Sequence, residues 1–418
     1  MNTASLLRAR IVWPVSSPPI ENGAVCLCEG VIEDVGTWAD LSRRWVGVPV
    51  EDLGEVVLMP GLVNAHCHLD YTGMAGMIPP PSSSANFPDW IKSILSLKAH
   101  WSYTEYAASW LKGAKQLLDS GCTTVFDTEA VPELLPEAWQ STPLRVISYL
   151  EMTGVRSGHQ PERILREASQ QRDRIGETAL CSTGISPHAL YSTPPALLKL
   201  VAQRIRSGGI RVSMHLAESE AEWDMYQNAR GPLYEWLKSQ RPMDDCGGRS
   251  PVQRAHELGL LQPNLLAIHC NYLARGDAEL LAKNQVTVVH CPRSHAYFKH
   301  APFPYEQLRA AGVNVMIATD SLASVRVEKG REASNNLWDE MRAFSRAHKT
   351  VPPEKILEMT TCNFERWSKN VAGQIAANHS ADLIAVMCSG RGEDLAERLV
   401  AEGSTVKSSW VGGIRASA

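Results

Sequence analysis

Met59-Pro60-Gly61-Leu62-Val63-Asn64-Ala65-His66-Cys67-His68 decides the fold of this chain. It is an apolar run that ends in two imidazoles two residues apart. On a strand, alternate side chains share a face, so His66 and His68 point the same way at the strand's end, where both can hold one metal ion. Alone, such a pair also describes two polar residues on a turn. The pattern recurs, however, in Val212-Ser213-Met214-His215, in Leu265-Leu266-Ala267-Ile268-His269 and in Val313-Asn314-Val315-Met316-Ile317-Ala318-Thr319-Asp320. Four strands therefore deliver ligand-type side chains at their carboxyl ends.

Outward from these runs, the chain falls into two rhythms. Residues 6–13, 24–28 and 31–35 read as short strands, with Glu29-Gly30 as the hairpin turn between the last two. From Leu62 onward, strand-like runs alternate with helical ones: 62–65, 123–126, 145–149, 180–186, 211–215, 265–269, 286–290 and 314–319. Amphipathic helices lie between them, as at 106–119 before Gly121, 195–206 before Gly208-Gly209, and 305–311 before Gly312. Eight strand-helix units are the count of a (β/α)8 TIM-type barrel, whose active site lies at the carboxyl ends of its strands. An open doubly wound sheet is the alternative, but no Gly-rich phosphate turn follows the first strand.

Strand character returns at 381–387 and 405–411. The expected architecture is thus a barrel over 61–362 and a small β-sandwich domain built from both chain ends, 1–60 and 363–418. Pro79-Pro80-Pro81-Ser82-Ser83-Ser84 should form a loop over the barrel mouth, and a second irregular stretch, 244–250, lies between the fifth and sixth strands; both read as lid or pocket-wall segments or else as plain surface loops.

Bulk properties narrow the function. At 418 residues the chain has room for a barrel of ~250 residues or more and a companion. Net charge is −4, with no basic run, which argues against nucleic acid and membrane surfaces and for a small-molecule substrate. No stretch approaches the ~20 apolar residues of a membrane span, and residues 1–10 lack a long apolar leader, so a cytoplasmic protein is expected. The ten cysteines are scattered without a C-x-x-C and mostly lie in apolar runs. They read as packing residues, not as disulfides or a zinc knuckle.

Taken together, Pro60-Gly61-Leu62-Val63-Asn64-Ala65-His66-Cys67-His68, Ser186-Pro187-His188, His215-Leu216-Ala217-Glu218, Ile268-His269-Cys270, His290-Cys291-Pro292-Arg293-Ser294 and Ala318-Thr319-Asp320-Ser321 resemble the amidohydrolase superfamily. Within it, the resemblance is to the cytosine deaminase and chlorohydrolase-like branch, in family order over nearly the whole chain. It implies that His66, His68, His215 and Asp320 hold one divalent metal, Zn²⁺ or alternatively Fe²⁺; neutral imidazoles with one carboxylate suit either. Two-metal members carry a bridging carboxylated Lys at the end of the fourth strand. Here that strand ends Ile185-Ser186-Pro187-His188, which favours one ion.

The resemblance also implies roles. Glu218, three residues after His215, would move protons from water to a ring nitrogen and the leaving amine; otherwise it is a surface Glu capping a helix from Ala217. His269 would orient the attacking hydroxide, the alternative being a core histidine. His188 would hydrogen-bond the substrate or, failing that, cap a turn. Asp320 would both ligate and assist proton transfer.

Departures from the family pattern gather around the substrate pocket. His295 stands where many relatives have Asn, ahead of Ala296-Tyr297-Phe298-Lys299-His300, and 325–333 looks like an insertion. Residues 290–300, with 319–324, most resemble deaminases of adenine-type compounds such as aminodeoxyfutalosine or adenosine. The expected reaction is hydrolytic removal of an amine from a heteroaromatic ring, with ammonia and a keto product. A chlorohydrolase or cyclic-amide hydrolase would keep the same site, whereas a non-catalytic scaffold predicts loss of ligands or of Glu218. Exposed helices leave room for a homodimer.

Overall fold

The computed structural model describes residues 4–155, 160–208, 210–327, 329–330, 332–367, 372–402 and 405–417. The amino-terminal segment supplies β1 (Ser5–Val12), β2 (Ile20–Cys28), β3 (Val31–Thr37), β4 (Val50–Asp52) and β5 (Val57–Pro60). Glu29 and Gly30 turn the β2–β3 hairpin, both at positive φ, 50° and 83°.

The barrel strands follow: β6 (Leu62–Cys67), β7 (Cys122–Glu129), β8 (Arg145–Met152), β9 (Cys181–Pro187), β10 (Val212–Leu216), β11 (Leu265–His269), β12 (Thr287–His290) and β13 (Asn314–Ile317). The chain then returns to the first sheet with β14 (Leu383–Met387), β15 (Thr405–Val411) and β16 (Ile414–Ser417). The companion sheet runs β16-β15-β14-β5-β1-β2-β3, with β4 on β1, so the two chain ends meet in one sheet as expected.

Gly61 marks the crossing between the sheets. Its N–H donates to Asp382 O in the companion sheet, while Leu62 N–H donates to Gly121 O beside β7. A Cβ at Gly61 would come within 2.1 Å of Thr123 Oγ1, so only glycine fits.

All seven neighbouring pairs from β6 to β13 are parallel. The barrel closes at its carboxyl end through a bridge between Cys67 and Asp320. There the Asn64 side chain clamps Thr319, donating to Oγ1 at 2.8 Å and accepting from the backbone N–H at 3.0 Å. Farther along the seam, Val63 N–H donates to Thr360 O and Ile317 N–H to Met359 O. The interior is filled by Val63, Phe126, Ile147, Tyr149, Leu266, Ile268, Val289 and Met316, with Phe364 among them. It is a packed core whose chemistry is confined to the rim.

Helices at Pro195–Arg206 and Tyr305–Ala311 match their sequence expectation residue for residue. Gly208 and Gly312 follow them at positive φ, while Gly209 lies outside the described residues. The helix expected at 106–119 begins earlier, as Tyr103–Asp119, because Ser102 and Glu105 form a reciprocal capping box. Its apolar face buries Tyr106, Trp110, Ala114 and Leu117. No helix among the described residues is long and apolar enough to cross a membrane.

Candidate active site

β6 ends by projecting His66 and His68 from one face, and their rings stand 4.9 Å apart. His215 on β10 brings its ring to 5.0 Å from His66. Asp320, just past β13, places Oδ1 3.5 Å from His66 Nε2 and 3.8 Å from His68 Nε2. One donor atom each from His66, His68 and Asp320 lie within 4.8 Å of one another, as do those of His66, His215 and His269. The four ligands expected from sequence are therefore brought together, with His66 common to both groups.

The donor set fits a divalent ion on observations of this structure. His66 Nε2 is buried with no hydrogen-bond partner, although Thr128 Oγ1 meets Nδ1 at 3.4 Å. Ligands ~2.0–2.2 Å from a tetrahedral ion stand ~3.3–3.6 Å apart, close to the separation of His66 from Asp320. His215 Nδ1 donates to His188 O at 2.9 Å, which aims its other nitrogen inward. Ser324 Oγ donates to Asp320 Oδ2 at 3.3 Å and leaves Oδ1 facing the imidazoles. Burial first, then His66, pushes His68 down to about 3; burial likewise drives His215 well below the usual range. Neutral imidazole is the form a metal needs.

The backbone around the cluster is strained. Ala217, His269, Cys270 and Asp320 all hold left-handed conformations, at φ of 52°, 77°, 48° and 55°. Non-glycine residues rarely adopt this region, and such outliers gather where a site over-determines them.

Glu218 sits one residue before the cap of the Glu220–Asn228 helix, whose N-cap is Ser219, so it is not the surface helix residue of the alternative reading. Its side chain is buried, and Oε1 lies 3.5 Å from His269 Nε2. Burial, with Asp320 and Glu222 nearby, raises its carboxyl well above the usual range. The Glu222 carboxylate accepts from Glu218 N–H at 2.8 Å and from Ala217 N–H at 3.2 Å. On the other side Asn271 Nδ2 donates to Glu218 O at 2.9 Å. His269, buried and pushed down to about 3 mainly by burial, has an unpartnered Nε2 facing this group. His188 bonds locally through Nδ1, which meets Ser192 Oγ at 2.7 Å, and its ring lines the cavity 4.8 Å from His215.

A cavity of about 530 Å³ opens above these groups. Its apolar wall comes from Phe87, Trp90, Ile91 and Ile94, on the helix Phe87–Lys98, and from Trp236 and Phe298. The loop at 79–84 does not line it. That loop is tied across the rim instead, Ser82 O accepting from Lys299 and Ser84 Oγ donating to Glu220. Asp244 and Asp245 line an adjoining hollow. His295 turns toward Asn271 Oδ1 at 3.1 Å, and His300 Nδ1 meets the Tyr272 hydroxyl at 3.3 Å. Within 325–333, residues 328 and 331 lie outside the described residues. Cys67 is fully buried and its thiol is raised well above the usual range, chiefly by burial, which suits packing and not nucleophilic work.

Sequence reading missed Glu222, Asn271, Thr128 and Ser324. Only Glu222 carried a signal: Ser219-Glu220-Ala221-Glu222 has the spacing of a helix-capping box, and Ser219 Oγ does accept from Glu222 N–H.

Comparison with known proteins places this geometry. The chain is 28% identical over 378 residues to a 5-methylthioadenosine/S-adenosylhomocysteine deaminase of Nitratidesulfovibrio vulgaris, covering 88% of this chain and 79% of the relative. Among solved structures, the aminofutalosine deaminase of Helicobacter pylori, in complex with methylthio-coformycin, superposes with a TM-score of 0.84 at 20% identity, over 98% of this chain and 99% of that one. An adenosine deaminase of Xanthomonas campestris with bound zinc gives 0.82 at 22% identity, over 98% and 92%. With residues 57–413 matching the model of the amidohydrolase family, and with the barrel and its rim of His and Asp side chains in place, the chain belongs to that family.

Proposed function

We propose that this protein is a metal-dependent hydrolytic deaminase of an adenine-type nucleoside, converting a ring C–NH₂ and water into a ring C=O and ammonia. The observation that carries the reading is Glu218, buried and pinned through both ends of its backbone, 3.5 Å from His269 and beside the His/Asp cluster. The relative named as a 5-methylthioadenosine/S-adenosylhomocysteine deaminase supports the substrate class.

His66, His68, His215 and Asp320 would hold one zinc or iron ion, which when bound lowers the pKa of water toward ~7. The remaining work falls to the chain. Glu218 takes one proton from the attacking water and gives it to the ring nitrogen, where it stays; the second proton, from the hydroxyl now on the ring carbon, passes to the departing amine, which leaves as ammonia while the C=O forms. His269 orients the water, and Asp320 assists proton transfer. His188, its Nδ1 held by Ser192, offers its other nitrogen to the substrate.

Cys67, Cys122, Cys181, Cys270 and Cys291 are buried as thiols inside the fold, which suits a reducing compartment, and the reading includes a cytoplasmic location. We further take 61–362 as the catalytic unit, with 1–60 and 363–418 as its companion. The change of strand pairing at Gly61 supports the first boundary, while Phe364 and Ala372, packed inside the barrel, favour a later second one.

The test is ammonia release by protein reconstituted with zinc or iron, screened over adenine, guanine, cytosine and their nucleosides. Glu218→Gln should retain its metal while turnover falls by ~10²-fold or more. Wild-type turnover in that variant would remove Glu218 from the chemistry, and no ammonia from any aminopurine nucleoside would overturn the reading.

A further inference from the structure

Glu151 is a charged group that the chemistry above leaves unused. It lies near the end of β8, the third barrel strand, and its side chain, 12% exposed, lines the substrate cavity. Its nearest cation is Lys98 Nζ at 4.0 Å, beyond hydrogen-bond reach. Lys98 is itself engaged, donating to the Tyr71 hydroxyl and standing 4.8 Å over that ring. Among the described residues no N–H or O–H group hydrogen-bonds to the Glu151 carboxylate. Burial opposes its charge, but Lys98, followed by His188 and His68, holds it below the ordinary Glu range. An ionised carboxylate in a cavity whose wall is largely aromatic and aliphatic is costly unless donors arrive with the ligand.

We infer that Glu151 is the anchor for the sugar of the substrate, accepting hydrogen bonds from the vicinal diol of a ribosyl group. This rests on the nucleoside reading above. Position supports it: Glu218 and His269 follow the fifth and sixth barrel strands, whereas Glu151 belongs to the third, beside His188 after the fourth. A purine with its amine carbon held at Glu218 carries its sugar on the opposite edge of the bicycle, toward that other part of the rim. Charge selects the diol over an ammonium group, because Lys98 already offsets Glu151 and would repel a second cation. Two neutral hydroxyls match a carboxylate's two oxygens, and neither adds charge.

The test compares adenosine with 2′,3′-dideoxyadenosine in wild type and in Glu151→Gln, as kcat/KM. Wild type should prefer the diol by ~10- to 10²-fold, and the variant should lose most of that preference. Elemental analysis should find its metal unchanged. A Glu151 that merely supports the wall would slow both substrates alike and leave the ratio intact, which overturns the inference. Calorimetric binding of inosine and 2′,3′-dideoxyinosine to wild type needs neither the variant nor turnover. Equal affinities there also overturn the anchor. Discrimination in binding without ammonia release from any aminopurine nucleoside would instead overturn the deaminase reading and leave the anchor standing.

Discussion

Asn271 Nδ2 donates to the backbone oxygen of Glu218 at 2.9 Å, tying the residue after the sixth barrel strand to the proposed proton carrier after the fifth. Burial pushes His295 down to about 4, so its ring stays neutral at ordinary pH, and its Nδ1–H fixes the Asn271 amide by donating to Oδ1. With Glu222 holding the Glu218 N–H, neither peptide flanking the side chain is free to turn. Asn271→Ala should therefore lower kcat by ~10- to 10²-fold through misplacement of Glu218, with a smaller change in KM and no loss of metal. Steady-state kinetics with elemental analysis decides it; a wild-type kcat would show that Glu222 alone suffices.

The ligand set makes a separate demand. If His66, His68, His215 and Asp320 form one mononuclear site, purified protein should carry about one tightly held divalent ion per chain. His215→Ala removes a donor whose orientation is fixed by His188 O, and occupancy should fall sharply. Two ions per chain, or full occupancy in the variant, would sink the assignment.

The barrel and its companion sheet are joined by a buried ion pair. Arg145 at the start of β8 donates from Nε to Asp382 Oδ2 at 2.9 Å and from Nη2 to Ser380 Oγ at 2.9 Å. The Asp382 side chain is wholly buried. Arg145→Ala strands that carboxylate with Gly412 N–H and Ser380 Oγ as its remaining donors, and should cost ~3–5 kcal/mol. A urea midpoint unchanged from wild type would mean that those two donors satisfy the charge unaided.

The eight barrel strands were legible because each is an apolar run, and several end in a residue that an apolar run does not explain, such as His66 or Asp320. Sequence periodicity also found the helix at 195–206, since its apolar spacing and following glycine agree. It did not find the helix Phe87–Lys98, whose entry is masked by the Pro- and Ser-rich loop before it. The barrel's closure was equally hidden. Asn64 reads as a polar interruption of a strand until Thr319, 255 residues away, is seen to accept from it. Asn271 and Glu151 have ordinary surroundings in sequence, and only their placement beside Glu218 and in the cavity gives them meaning. Residues expected to ligate are recognisable by type and spacing; those proposed to position a neighbour or to meet the substrate are recognisable by what the fold sets next to them.

The leaving group separates the two hydrolase readings. An amine is a poor leaving group until protonated, so deamination needs an acid near the departing nitrogen, whereas chloride leaves as a stable anion without one. Glu218 is the natural acid. Burial raises its carboxyl, favouring a group able to carry a proton to the substrate. The same carboxylate can still deprotonate water, so dehalogenation is not forbidden by its presence; it simply makes no use of the acid. Ammonia release from an aminopurine nucleoside should accordingly be faster than chloride release from the matched 6-chloro compound, compared as kcat/KM. In Glu218→Gln the amine substrate should lose more activity than the chloro substrate, because only the former needs the proton delivered. A clear preference of wild type for the chloro compound, with no amine substrate turned over, would decide for the chlorohydrolase.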